Sequence, residues 1–240
     1  MAIENIGMKL KDINFFPKSL EAEILVDKPE PSRNFIPVWY KKLHAFENNK
    51  FSINEHGESN ATAKMCVPFS DAFSMGYIQK LWADIYIEDR SDGVYYSSSS
   101  QYAPISHRDN LSGIPIDNSY YPYEFVWKMQ WIPKLPDGYS ILYTHPFNRT
   151  DLPFYSLTGI VDADKFYHEG QGNHPFYIKK GFTGKIPYGT PIVQIIPFKR
   201  DSWKSMFEEF DEKNKIIPQL LKKQFYGVYK KLFWSKKEFL

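Results

Sequence analysis

Between Leu81 and Phe198 the chain repeatedly alternates apolar and polar side chains with a period of two, the spacing of a strand buried on one face. In KLWADIYIED, Leu81, Ala83, Ile85 and Ile87 fall on one side, with Trp82, Asp84, Tyr86 and Glu88 on the other. Asp92-Gly93 then reads as a hairpin turn, and Val94 to Ser98 returns as the partner strand. EFVWKMQW repeats the pattern, setting Phe125, Trp127, Met129 and Trp131 against Val126, Lys128 and Gln130. After the turn Leu135 to Gly138, the runs YSILYT, LTGIV, PFYIKK and TPIVQIIPF are further strands separated by glycine and proline turns. No helical period interrupts them. The pattern therefore predicts a mainly β fold, an antiparallel sandwich or distorted barrel of β-clip or double-stranded β-helix kind, and not a parallel α/β sheet.

The flanks read differently. Residues 1–35 predict an arm with one edge strand at Ile24-Leu25-Val26, and the prolines of DKPEPSRN mark an exposed connection. Pro37 starts a short helix within Ile36 to Phe46. At the other end RDSWKSMFEEF, capped by Asp201 or Ser202, predicts a helix. IIPQLLKKQFYGVYKKLFW, with Leu220, Leu221, Phe225, Val228, Leu232 and Phe233 at helical intervals, predicts another whose lysines face solvent. The organisation expected is one β-rich domain over 1–240, made of an arm (1–35), a β core (36–200) and C-terminal amphipathic helices (201–240).

Composition reinforces the strands: 42% of residues are hydrophobic and 18% aromatic, and aromatic side chains suit pleated, half-buried surfaces. A net charge of +2 gives no footprint for nucleic acid. One cysteine, Cys66, excludes an internal disulfide framework, and its apolar neighbours predict an inert buried thiol. The start of the chain lacks a cationic stretch followed by an apolar core, and no apolar run reaches membrane-spanning length. These features lead to the expectation of a cytoplasmic protein without a membrane span.

Three groups of residues carry candidate chemistry. Asp162 and Asp164, at a strand end, are candidate catalytic carboxylates, with turn formation as the competing role. His107 and Asp109 have the His-x-Asp spacing of non-haem iron oxygenases that use 2-oxoglutarate, with His174 or His168 as the distant third ligand. His145, Asn148 and Arg149 gather at a strand exit as candidate ligand-binding groups, joined by Gln194.

TGIVDADKF, followed by Pro187, Gly189, Ile192 and Gln194, resembles the dUTPase and dCTP deaminase superfamily. That resemblance implies a β-clip fold with Asp162 beside a deoxyribose. The family's P-R-S-S phosphate-binding segment and its glycine-rich C-terminal arm have no counterpart here, so phosphate binding is not implied. Over a longer span, PVWYKKL, FSDAFSMGYI, LPDGYSILYTHPFNRTDLPFYSLTGIVDADKF and IPYGTPIVQIIPFKRDSWK resemble an uncharacterised protein family of tailed phages of marine cyanobacteria and of some bacteria. This implies a small accessory protein, cytoplasmic in an infected cell, and brings no activity or cofactor.

Three functional readings follow: a β protein that binds a small molecule, a nucleotide enzyme using Asp162, and an iron oxygenase using His107, Asp109 and His174. The cofactor is unspecified. Nucleic acid is not an expected partner, and an aromatic-rich surface leaves room for a homo-oligomer.

Overall fold

A computed structural model describes residues 11–108, 113–167, 172–212 and 228–240. Its strands are β1 (Asn14–Pro17), β2 (Glu30–Pro31), β3 (Tyr77–Lys80), β4 (Ile85–Arg90), β5 (Gly93–Ser98), β6 (Ile105–His107) and β7 (Phe125–Lys128). These are followed by β8 (Trp131–Lys134), β9 (Tyr139–Thr144), β10 (Phe154–Ser156), β11 (Gly159–Val161), β12 (Asn173–Ile178), β13 (Gly184–Ile186) and β14 (Pro191–Lys199). The helices are α1 (Leu20–Leu25), α2 (Val38–Lys42), α3 (Val67–Ser74) and α4 (Val228–Leu232). The fold is mainly β, as the period-two pattern predicts.

Tertiary contacts group the chain into two units. The first draws on the described residues within 1–30, 78–146 and 150–200, the second on those within 31–77, 147–149 and 201–240. In the first, the strands form a four-stranded sheet ordered β10-β12-β7-β6, a five-stranded sheet ordered β11-β9-β14-β3-β2, a three-stranded sheet β13-β4-β5 and the pair β1-β8. β14 explains its own place: PIVQIIP is a near-continuous apolar run, and such a run suits a central strand covered on both faces.

The four- and five-stranded sheets pack as a sandwich, and a buried polar pin crosses between them. Trp127 Nε1 on β7 donates to Ser156 Oγ on β10 (2.9 Å), which donates to the Ile192 carbonyl on β14 (2.7 Å). Around it Trp127 stacks on Phe176 at 3.6 Å and 5°, with Phe154 edge-on at 5.0 Å. A smaller core joins Ala22, Val26, Trp82, Ala83 and Trp131. Both of its indoles find carbonyls, Trp131 Nε1 that of Val26 (3.0 Å) and Trp82 Nε1 that of Tyr102 (2.9 Å).

In the second unit Tyr40 on α2 packs against Phe69 and Phe73 on α3 at 5.9 and 4.8 Å. Past α4 the chain is held by Asp71, which accepts from Trp234 Nε1 (2.8 Å) and Lys237 Nζ (2.6 Å).

Several local expectations need correction. Ile24-Leu25-Val26 is no edge strand: Ser19 caps α1 by accepting from Ala22 N at 3.1 Å, and Glu21 and Glu23 suit its first turn. KLWADIYIED is not one strand, because the chain corners at residues 81–84, where Leu81, Trp82 and Ala83 are all buried. EFVWKMQW is likewise broken at Met129 and Gln130 into β7 and β8. The hairpin turn lies one residue earlier than expected, since Gly93 already pairs with Arg90.

Residues 201–211 form no helix and are exposed. Cys66 is exposed, not buried. Of the second C-terminal helix, α4 is present, while 213–227 lie outside the described residues. Among the described residues no helix is long and apolar enough to cross a membrane.

Candidate functional site

The carboxylates of TGIVDADKF sit in the turn that follows β11, which closes with Phe166 N donating to the Asp162 carbonyl at 2.8 Å. Asp164 is buried and accepts from Gly138 N (2.8 Å), Arg200 Nη1 (2.8 Å) and Arg200 Nη2. The same Nη1 reaches the Tyr139 carbonyl (2.9 Å) and Ser140 Oγ (3.0 Å), and the Arg200 backbone N–H donates to Gly138 O (2.9 Å). Asp162 is exposed, accepting from Ser140 Oγ at 2.6 Å and lying 3.2 Å from Arg200 Nη1.

The Arg200 hydrogen bond holds the Asp164 carboxyl far below the usual carboxylate range, aided by Gly138 N–H and opposed by burial. A base needs a lone pair free for the incoming proton, and both Asp164 oxygens are engaged. Asp164 thus fastens the turn before β9 to the end of β14. The two aspartates should therefore separate on substitution. Asp164→Asn removes the charge that Arg200 faces and is expected to lower the thermal midpoint by several degrees, whereas Asp162→Asn is expected to leave it within scatter; differential scanning calorimetry checks the order.

Two of the proposed iron ligands, His107 and His174, are not brought together. Strand register pairs His107 with Phe125 and His174 with Trp127, so β7 separates the two histidines by two strand spacings, roughly 10 Å. His107 packs on Phe125 at 4.8 Å and on Tyr96 at 5.2 Å. His174 is buried near Tyr143, with ring centroids 5.8 Å apart. Asp109 and His168 lie outside the described residues. Among the described residues no three His, Cys, Asp or Glu side chains could hold a metal ion.

The strand-exit group divides between the units. Asn148, in the left-handed region at φ 58°, and Arg149, whose Nη1 is 3.5 Å from the Phe35 carbonyl, belong to the second. His145 and Gln194 belong to the first. Gln194 is buried in β14, in register with Thr144.

His145 occupies the sheet edge. β10 is an outer strand, and its Ser156 N–H donates to His145 Nδ1 at 3.3 Å, which covers part of that edge. An accepting Nδ1 places the proton of the neutral ring on Nε2. His145 also stacks on Tyr155, at 5.1 Å and 30°. From there a row of rings crosses the sheet. Tyr155 is in register with Tyr177 on β12, and Tyr120 lies against both, at 6.3 and 6.1 Å.

Strand alternation explains the row: Phe154 and Phe176 point into the sandwich, so Tyr155 and Tyr177 point out of it. Tyr155 is 39% exposed, while Tyr177 is buried beneath the row. Burial, first of all, raises the Tyr120 hydroxyl above its ordinary range. The sequence expectations name His145 and miss the tyrosines. Their signal is the tripeptide PFY, which occurs at 153–155 and again at 175–177.

No family model, curated protein or solved structure matches this chain.

Proposed function

We propose that this protein is a binding module, and that its first unit holds a neutral ring ligand, a saccharide, against Tyr155 and Tyr120. The observation that supports the reading is the row of His145, Tyr155 and Tyr120 carried by a sheet edge, with ring centroids 5.1 and 6.3 Å apart. Aromatic faces attract the apolar face of a sugar ring, and tyrosine hydroxyls add hydrogen bonds at its rim. Lys179, the nearest cation in the sequence to Tyr177, spends its ammonium on the Thr150 carbonyl at 2.7 Å, which favours a neutral ligand over a phosphorylated one. A small accessory protein of phage type, as the sequence resemblance implies, suits recognition better than turnover.

The test is titration with neutral oligosaccharides followed by NMR shifts and tyrosine fluorescence. Saturable binding is expected, weakened roughly tenfold by Tyr155→Ala. Binding untouched by that substitution, or no saturable signal with any saccharide, overturns the reading.

A further inference from the structure

The rings of the row do not share a plane. Tyr155 is inclined by 30° to His145 and by 47° to Tyr120. His145 also meets Phe154, 5.8 Å away and inclined by 78°. Phe154 points into the sandwich and Tyr155 out of it, so a ring that touches both lies beside β10 and not above the face of the sheet. The hydrogen bond from Ser156 N to His145 Nδ1 (3.3 Å) puts it on the same side, along the outer edge of that strand. The row therefore crosses the outer face from Tyr120 to Tyr155 and then turns over the border of the sheet at His145.

That shape selects among saccharides. A sugar gains from an aromatic ring only when its apolar face lies flat against it, because a gap of about 1 Å already forfeits up to about half of the dispersion attraction. A crystalline polysaccharide presents parallel chains locked in one flat lattice, and rings inclined by 30° and 47° can meet such a plane only one at a time. A separate chain turns about its glycosidic bonds, so successive sugars can face successive rings. Resting on the saccharide reading above, we infer that the site takes a single neutral polysaccharide chain, which runs over Tyr120 and Tyr155 and rounds the β10 edge at His145, and that it does not hold the flat face of a crystalline polysaccharide.

The full chain is titrated by calorimetry with cello-, chito- and manno-oligosaccharides of two and of five sugars. In parallel it is mixed with microcrystalline cellulose, crystalline chitin and crystalline mannan, and the protein left in the supernatant is measured. For the sugar that binds, the five-unit chain is expected to bind about tenfold tighter than the two-unit chain, while its crystalline form leaves the protein in solution. His145→Asn keeps an acceptor for Ser156 N–H but removes the ring. It is expected to weaken the five-unit chain several-fold and to leave the two-unit chain, which Tyr155 and Tyr120 suffice to hold, unchanged. Depletion by the crystalline form at the affinity of the soluble chain overturns the inference and leaves the saccharide reading standing. Equal affinity for two and five sugars does the same, as does a five-unit chain indifferent to His145→Asn. No binding of any soluble chain overturns both.

Discussion

Trp127→Ala is expected to destabilise the protein by about 3–5 kcal/mol, read as a fall in the urea midpoint at constant slope. Trp127 is fully buried, stacked on Phe176 and edge-on to Phe154. Truncation therefore opens a void where both sheets meet, and the surrounding rings are fixed by strand pairing and relax little into it. The pin gives a finer test. Trp127→Phe keeps a ring in the stack but removes the Nε1 donor to Ser156 Oγ, which still donates to Ile192 O. A loss of about 1 kcal/mol is expected there. Equal losses for the two variants would mean that the hydrogen bond, and not packing, governs the site.

The second large effect is an acid weakness at His174. Burial pulls its imidazole from 6.5 down to about 4, against a hydrogen bond with the Leu157 backbone that favours the charged ring. Nε2 is buried and has no hydrogen-bonding partner among the described residues. The folded state therefore prefers the neutral ring, and the unfolded chain takes up a proton first as pH falls. Stability is fully present above pH 6.5, declines between 6.5 and about 4, and levels below that, for a total of about 3 kcal/mol.

Asp164 behaves in the same direction but in another window. Its folded carboxyl titrates far below the ordinary range, so its contribution is lost only under stronger acid. Denaturation curves at stepped pH separate the two. His174→Phe is expected to flatten the slope between pH 6.5 and 4, whatever it does to absolute stability, and a slope unchanged in that variant would assign the acid weakness elsewhere.

Much of the sandwich was legible because half-buried strands impose a period of two: YSILYT is β9 to the residue, and TPIVQIIPF gives β14 to within one residue at each end. The failures occur where another rule outweighed the pattern. Ile24, Leu25 and Val26 have strand propensity, but Ser19 and two glutamates in the first turn set a helix. Leu81 to Ala83 and Met129 alternate on paper, but the chain corners there and is buried all round.

The chemistry was less legible than the fold. TGIVDADKF advertises its aspartates, but their role is set by Arg200, which lies 36 residues beyond Asp164 and meets it only through the pairing of β9 with β14. The tyrosine row depends likewise on the register of β10 with β12, which no local pattern reveals. Residues 201–211 show the reverse case: the helical period is present in the sequence, but no helix forms there.

The order β11-β9-β14-β3-β2 places the last strand of the sheet to be translated in its middle. A nascent chain that has reached β13 still lacks both the strand that joins β9 to β3 and the Ile192 oxygen on which the Trp127 and Ser156 pair closes. Folding of the first unit must therefore wait until the ribosome has released β14. Termination between β11 and β14 leaves two unjoined half-sheets with open edges, the kind of species that chaperones bind and proteases remove.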